Sequence, residues 1–356
     1  MKKNYLISFL QIYGIILVVI GHANTTWSDD NPLQPFRDWI YSFHMPLFVF
    51  ISGYLLQYTL QKKENSIDNL VSNNYLNFVY QKVKRLLLPY LFISSLVFLP
   101  KVYLSHYALH PIDGNFEAWI HMLIYPWDNV IRIYWFLPTL FIITVISVLI
   151  IWLLGKCNNS KKLYFVIIGL LLLMIYNPLR GFLLFNLEGV IHYLAYFVLG
   201  IYYSQFQKQI DRMLYLKSHI TLIITFSISI LLLLFHTSNP PYSILPSHIY
   251  LYSTVYIIKS INGILMSISL GYLYIEKKWT FLNILYGSSS AIYLFSWFPQ
   301  VAFQNLLTEF IPISWQMVTF LAIVSGIYVP FLIYKILLYI KNRGKCGKYL
   351  ALLFGQ

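Results

Sequence analysis

Residues 134–154 read YWFLPTLFIITVISVLIIWLL, an apolar run without a charged side chain. A helix needs about 20 mostly apolar residues to cross the hydrocarbon core of a bilayer, so this run predicts a membrane-spanning helix. Charged residues make up only 10% of the 356-residue chain. Soluble domains carry about 25%, and this deficit leaves too little charge to cover a water-facing surface. The sequence therefore predicts an integral membrane protein.

Nine further segments are long and apolar enough, or nearly so, to cross a membrane. With the first run they give ten predicted spans: 6–22, 40–58, 86–105, 134–154, 163–179, 189–204, 219–236, 249–274, 281–306 and 315–340. Residues 61–88, between the second and third spans, begin with a polar stretch and predict a loop. We expect an all-α, polytopic membrane protein with about ten transmembrane helices, forming a single domain over residues 1–356.

Lysine and arginine alternate between crowded and empty connections along these spans, as the positive-inside tendency predicts. With a cytoplasmic N-terminus, 20 of the 25 basic residues fall inside: Lys2, Lys3, Lys62, Lys63, Lys82, Lys84, Arg85, Lys156, Lys161, Lys162, Lys208, Arg212, Lys217, Lys277, Lys278, Lys335, Lys341, Arg343, Lys345 and Lys348. The net charge of +13 reflects this asymmetry and does not indicate a nucleic-acid partner. We expect a multi-pass protein of the cell membrane with both termini cytoplasmic. Cys157 and Cys346 are the only cysteines, which excludes a disulfide framework.

Most histidines fall on the predicted outer side, where groups able to move protons near neutral pH gather. This outer set is His22, His44, His106, His110, His121, His192, His236 and His248, and only His219 is predicted inside. For the loop histidines, the ordinary polarity of outer loops is a sufficient explanation. A metal site built from His106, His110 and His121 lacks any recognised ligand spacing, so we expect no metal.

His22 and His44 differ from the loop histidines because each stands at the edge of an apolar run. Ionisable groups at membrane depth usually face a bundle interior or a wet cavity, so the two side chains could line one pocket. Alternatively, they are interfacial histidines near the lipid headgroups. Gln11 precedes His22 by eleven residues, close to three helical turns, and shares its helix face about 16 Å deeper.

Basic residues also gather where residues 82–85 read KVKR, just before the third span. Lys82 and Arg85 are three positions apart, so they would share one face of a helix. Such a pair at the cytoplasmic surface suits a polyphosphate such as coenzyme A, or an anionic lipid headgroup. The positive-inside tendency alone would also put basic residues there.

Six blocks of sequence carry a resemblance to a known family. They are residues 14–22 (GIILVVIGH), 39–54 (WIYSFHMPLFVFISGY), 82–90 (KVKRLLLPY), 134–141 (YWFLPTLF), 196–200 (YFVLG) and 291–295 (AIYLF). In this order, over nearly the whole chain, they resemble the membrane acyltransferase 3 family and its fucose 4-O-acetylase-like branch. The second block is the most specific.

This resemblance implies a ten-helix protein that takes an acyl group, usually acetyl, from cytoplasmic acyl-coenzyme A and delivers it to a hydroxyl of a surface or lipid-linked polysaccharide. His22 matches the family's essential histidine, and Lys82 with Arg85 match the basic pair associated with the donor. Two positions depart from the family pattern. Gln11 stands where the family's first-helix motif has a basic residue, and Ser296 stands where a histidine is frequent.

The mechanism that follows uses His22 as the general base on the acceptor hydroxyl. Gln11 and His44 complete the predicted catalytic group, and Glu188, His44 or Asp38 would orient the base. Trp135, Ser52 and Glu188 are the predicted substrate-binding residues, with Tyr134, Trp135, Ser52 or Gln11 as candidate hydrogen-bond donors to the oxyanion. A serine nucleophile is disfavoured because no G-x-S-x-G elbow occurs.

We expect no permanently bound cofactor, with acetyl-CoA or another acyl-CoA as the donor substrate. The expected partners are this donor, a surface glycan or lipid-linked sugar as acceptor, and the lipid bilayer. A second function stays open, in which the chain is a non-catalytic exporter of a lipid-linked saccharide or exopolysaccharide.

Overall fold

The structure, a computed structural model, describes residues 4–23, 33–104, 112–155, 160–215, 217–233, 246–310 and 314–355. Every regular element within these ranges is helical, which confirms the all-α prediction. The α-helices are α1 Tyr5–His22, α2 Gln34–Lys62, α3 Ile67–Lys82, α4 Leu88–Leu104, α5 Phe116–Ile124, α6 Phe136–Gly155, α7 Ser160–Tyr176, α8 Leu187–Gln205, α9 Gln207–Tyr215, α10 Ser218–Leu233, α11 Pro246–Glu276, α12 Ser289–Phe295, α13 Trp297–Phe310, α14 Trp315–Lys341 and α15 Lys345–Leu353. Short 3-10 turns occupy Pro126–Asp128, Arg132–Trp135, Leu184–Asn186 and Asn283–Leu285, and a π turn occupies Val83–Leu87.

Seven helices in the described ranges are long and apolar enough to cross a membrane: Tyr5–His22, Gln34–Lys62, Ile67–Leu104, Arg132–Leu153, Leu184–Gln205, Ile249–Glu276 and Trp315–Lys341. Two shorter apolar helices, Tyr164–Tyr176 and Ser218–Leu233, lie where the fifth and seventh spans are predicted. The predicted ninth span is divided, because α12 ends at Phe295 and α13 begins at Trp297. These helices fit a multi-pass membrane protein. The total of ten and the cytoplasmic termini stay predictions.

The predicted loop over 61–88 is wrong for most of its length, because α3 occupies Ile67–Lys82. Ser66 begins this helix, and its hydroxyl accepts a hydrogen bond of 3.1 Å from the backbone N–H of Asn69. Asp68 in the first turn adds a carboxylate at the end of the helix that favours negative charge. The π turn then joins α3 to α4, so Ile67–Leu104 runs as one helical stretch.

The chain forms two compact units, which are described separately. The first contains Met1–Tyr54 and Tyr203–Ile336, and the second contains Leu55–Tyr202 and Leu337–Gln356. In the first unit, one face of α1 packs against three elements: the 3-10 turn Asn283–Leu285, helix α12 and helix α14. The buried members of this cluster are Ile12, Ile15, Val18, Val19, Leu285, Ile292 and Phe331. The end of α1 is therefore held in a packed core.

Helices α2 and α11 of the first unit approach each other closely where Gly263 faces Phe43. A Cβ atom at Gly263 would clash with three atoms of the Phe43 side chain, so only glycine fits this position without a shift. Phe43 is fully buried beside His44. The fit therefore fixes the segment of α2 that carries the second candidate histidine.

Candidate functional site

His22, the last residue of α1, contacts Tyr41 of α2. Its Nδ1 atom lies 3.1 Å from the Tyr41 hydroxyl, and the two rings meet edge to face with centroids 5.6 Å apart. The Tyr41 hydroxyl donates a bond of 3.2 Å to the carbonyl of Gly21. When its single proton points to Gly21, the Tyr41 oxygen accepts from Nδ1–H of His22, and Nε2 keeps a free lone pair. This arrangement is suited to a general base.

His44 packs against the same tyrosine, with ring centroids 5.1 Å apart and an interplanar angle of 62°. Only 2% of its surface is exposed. Its Nδ1 atom lies 2.8 Å from the carbonyl oxygen of Ile40, one turn earlier in α2. A carbonyl oxygen only accepts, so Nδ1 carries the proton and Nε2 of the neutral ring is unprotonated. Tyr41 thus brings the two predicted histidines together.

Charged side chains surround the start of α2 in the same unit. The guanidinium of Arg37 lies over the Tyr41 ring, 5.6 Å from its centroid. Arg37 Nε is 3.9 Å from Asp38 Oδ1, an oxygen that also accepts a bond of 3.1 Å from Gln34. Lys259 of α11 is only 8% exposed. Asp38, predicted as a possible orienting group for His22, has contacts with Arg37 and Gln34.

Two glutamines of α13 reach the end of α1. Gln300 Nε2 donates to the carbonyl of Val19 at 2.7 Å, and Gln304 Nε2 donates to that of His22 at 3.4 Å. Sequence reasoning missed Gln300 and Gln304, which are separated from α1 by some 280 positions. A signal was available, because Gln300 is a large polar residue within a predicted span. Tyr41 was also missed, although it precedes His44 by three positions and so shares its helix face.

Gln11 and Ser52 occupy helices of the first unit. Gln11 is half-buried in α1, and because α1 is a continuous α-helix, the expected rise of about 16 Å between Gln11 and His22 applies. Ser52 Oγ donates a bond of 2.9 Å to the carbonyl of Phe48 in its own helix. This bond occupies the only proton of the Ser52 hydroxyl. The roles of Gln11 and Ser52 in catalysis stay predictions.

Lys82 of the second unit immediately precedes the π turn, and Arg85 lies within this turn. A π turn holds more residues than an α turn, so residues three apart are spread more widely around the axis than the predicted shared face implies. The Lys82 ammonium lies over the Phe78 ring at 5.3 Å, the Lys84 ammonium over Tyr80 at 4.1 Å, and Arg85 is exposed. π turns are frequent at functional sites. The cations are thus presented by an irregular turn.

Trp135 lies in the middle of three stacked rings in the second unit. Its centroid is 4.9 Å from that of Trp127, at 16°, and 5.6 Å from that of Tyr193, at 24°. Trp127 Nε1 donates to Asn186 Oδ1 at 2.9 Å, and Asn186 Nδ2 donates to Thr139 at 2.8 Å. Asn186 has a left-handed φ of 54°. The buried Asn186 amide therefore holds Trp127, at one end of the stack, in place.

Glu188 stabilises the segment between α7 and α8 in the second unit. Its Oε2 atom accepts a bond of 3.0 Å from the backbone N–H of Gly181, and Asn177 Nδ2 donates to its carbonyl at 3.2 Å. These bonds secure the segment between α7 and α8. Substrate binding by Glu188 stays a prediction.

Five of the other histidines belong to the second unit or lie outside the described residues. His106, His110 and His236 lie outside the described residues, as does Cys157, and His248 lies in α11 without a described side chain. His121 is exposed, with Nδ1 3.9 Å from Asp128. In the part of the chain that the structure describes, no three His, Cys, Asp or Glu residues are grouped to hold a metal.

The sequence is similar to known proteins. The acyltransferase 3 family, described as an acyltransferase domain, matches residues 4–335. A curated relative, the nodulation protein NolL of Mesorhizobium japonicum, is 29% identical over 152 residues, which cover 40% of this chain and 36% of the relative. The match thus spans about a third of the relative's length. No solved structure matches this chain.

Proposed function

This chain belongs to the acyltransferase 3 family, and from that membership we propose that it is an O-acyltransferase of the cell membrane that acts as a single domain. The donor is acetyl-CoA or another acyl-CoA, and the acceptor is a hydroxyl of a surface or lipid-linked polysaccharide. His22 is the general base. The observation that carries this assignment is the contact between His22 Nδ1 and the Tyr41 hydroxyl, because it can leave Nε2 of His22 free to take a proton.

The reaction balances with this one base. The acceptor O–H loses its proton to His22 Nε2 while its oxygen attacks the thioester carbonyl carbon. The tetrahedral intermediate then collapses, the C–S bond breaks, and the coenzyme A sulfur takes the proton from the imidazolium. The products are an O-acyl ester and free coenzyme A, and His22 is restored to its neutral form.

Other residues have proposed roles in the same reaction. His44 supports His22 through the shared contact with Tyr41. Lys82 and Arg85 bind the phosphates of the donor, which is supported by the position of Lys82 next to the π turn and of Arg85 within it. Trp135, in the stack with Trp127 and Tyr193, offers an aromatic surface for the acceptor sugar.

NMR of polysaccharide purified from cells with and without this gene tests the function, since it reveals an acyl group, its identity and its position. We expect the ester to disappear from cells without the gene and from cells that carry His22→Ala. The rate of acyl transfer by this variant should fall about 10²- to 10⁴-fold. His121→Ala, at an exposed histidine, is the matched control. If the His22→Ala protein is present in the membrane and the ester persists, the assignment of His22 as the base is wrong. If the polysaccharide instead vanishes from the surface and accumulates inside, the chain is an exporter.

A further inference from the structure

The C-terminal end of α1 carries His22, and helix ends are where backbone carbonyls lack partners. The last four C=O groups of any α-helix have no intrahelical donor. In α1 these belong to residues 19–22. A helix end whose carbonyls lack donors frays easily, and the side chain of its last residue then changes position.

Each of these four carbonyls has a donor within the described residues. The backbone N–H of Ala23 reaches Ile20 at 3.2 Å. Side chains serve the other three: Gln300 at Val19, Tyr41 at Gly21 and Gln304 at His22. Three side chains from two other helices thus complete the last turn of α1.

Gln300 is held in its position by α14. The residue is 2% exposed, and Gly326 of α14 lies directly against it. A Cβ atom at Gly326 would stand 2.9 Å from Gln300 Cγ and 3.0 Å from Val19 Cγ1. The absence of a side chain at Gly326 therefore gives Gln300 the space to lie against α1.

We propose that Gln300 and Gln304 are positioning residues for His22, holding the last turn of α1 so that the imidazole keeps its contact with Tyr41 during acyl transfer. This inference rests on the proposed function of His22 as the base. The two glutamines are four positions apart and so share one face of α13. Neither needs to touch the substrate, because each acts on the backbone that carries the base.

The test measures initial rates in membrane vesicles that carry each variant at matched level, with radiolabelled acetyl-CoA as donor and label counted in polysaccharide. Gln300→Leu should lower kcat about 10- to 100-fold, since small misplacements of a catalytic group cost this much. The KM for acetyl-CoA should change less than about twofold, because binding is not altered. Gln316→Leu, at an exposed glutamine of α14, is the control and should keep the parent rate.

A second measurement separates positioning from folding. In a His22→Ala background, Gln300→Leu should change the residual rate less than about twofold, because residues that act as a unit are not additive. A general folding defect would lower both backgrounds equally. Deuterium uptake by peptides covering 15–23 should rise with Gln300→Leu, since the last turn of α1 loses a bond.

Gly326→Ala provides a variant that keeps both amides and displaces Gln300, so it should lower kcat in the same direction. Gly169→Ala, where an added Cβ meets nothing within 4 Å, is its control. If His22→Ala is inactive while Gln300→Leu and Gln304→Leu keep more than half the parent kcat, the positioning proposal fails and the proposed function stands. Unchanged deuterium uptake alongside a reduced rate also overturns it. If His22→Ala is fully active, both proposals fail together.

Discussion

The hydroxyl of Ser260 in α11 lies 2.6 Å from the carbonyl oxygen of Ser42 in α2, across 218 positions of the chain. Ser42 would normally accept from the backbone N–H four residues later, but that residue is Pro46, which has no N–H. Ser260 supplies the missing donor. The same hydroxyl also lies 2.8 Å from the backbone carbonyl oxygen of Tyr256, one turn earlier in α11. Ser260 of α11 thus compensates for the N–H that Pro46 lacks in α2. Pro46 is two residues from His44.

Ser260→Ala should destabilise the protein by about 1–3 kcal/mol, because it leaves the buried Ser42 carbonyl without this donor. The measurement is the thermal unfolding midpoint of purified protein in detergent, with Ser227→Ala, at an exposed serine of α10, as control. Pro46→Ala restores the backbone donor, so Ser260→Ala should cost less in that background. Equal losses in both backgrounds would contradict the compensation.

Tyr41→Phe should slow acyl transfer about 10-fold, which corresponds to losing one hydrogen bond to a charged imidazolium of about 1.5 kcal/mol. The aromatic ring remains, so the packing of both histidines is kept, while the Gly21 carbonyl loses the donor that the hydroxyl supplies. The vesicle assay measures the rate, and Tyr328→Phe, at an exposed tyrosine of α14, is the control. A parent rate for Tyr41→Phe would exclude the hydroxyl from the orientation of His22.

Gly263→Ala should destabilise the first unit by about 1–3 kcal/mol, since the new methyl group must displace the buried ring of Phe43. At Gly169, with no atom within 4 Å of an added Cβ, the same change should be neutral or stabilise by up to about 1 kcal/mol. Thermal unfolding of both variants checks the difference. Two equal midpoints would mean that Phe43 moves without cost.

Lys82→Met should raise the KM for acetyl-CoA about 10-fold or more, because it removes a cation assigned to the donor phosphates. The kcat at saturating donor should be kept, since uniform binding is lost. Lys84→Met is the matched control, because Lys84 lies in the same turn with its ammonium over Tyr80. An equal rise in KM for both variants would show that only the local positive charge matters.

The sequence predicted those elements whose signal is local. Apolar runs indicated the long helices, and the charge-free run at 134–154 is helical along its length. Helix α3 was missed because residues 61–77 are polar, although Ser66 followed by Asp68 is a helix-start signal. Its packing depends on tertiary contacts that the local sequence does not show, because Leu70 is buried and the Tyr75 hydroxyl donates to the carbonyl of Val145 in α6 at 3.3 Å.

The candidate site was partly predictable for the same reason. His22 and His44 stood out as ionisable residues at the edges of apolar runs, and the structure brings both against Tyr41. The donors that complete the end of α1 could not be found from spacing, because Gln300 and Gln304 meet it only through tertiary packing. The same holds for the pairing of Ser260 with Ser42, which depends on two distant helices.

The helical stretch Ile67–Leu104 contains 38 residues. At about 1.5 Å per residue it is about 57 Å long, nearly twice the roughly 30 Å of a hydrocarbon core. Its beginning is polar and exposed at Asp68, Asn69, Asn73 and Asn74, and the Tyr75 hydroxyl holds α3 against α6 by donating to the carbonyl of Val145 at 3.3 Å. This end is therefore both exposed and fixed in position. An antibody fragment or a fused rigid domain attached there would extend a small membrane protein by a feature large enough to align single particles in electron cryomicroscopy.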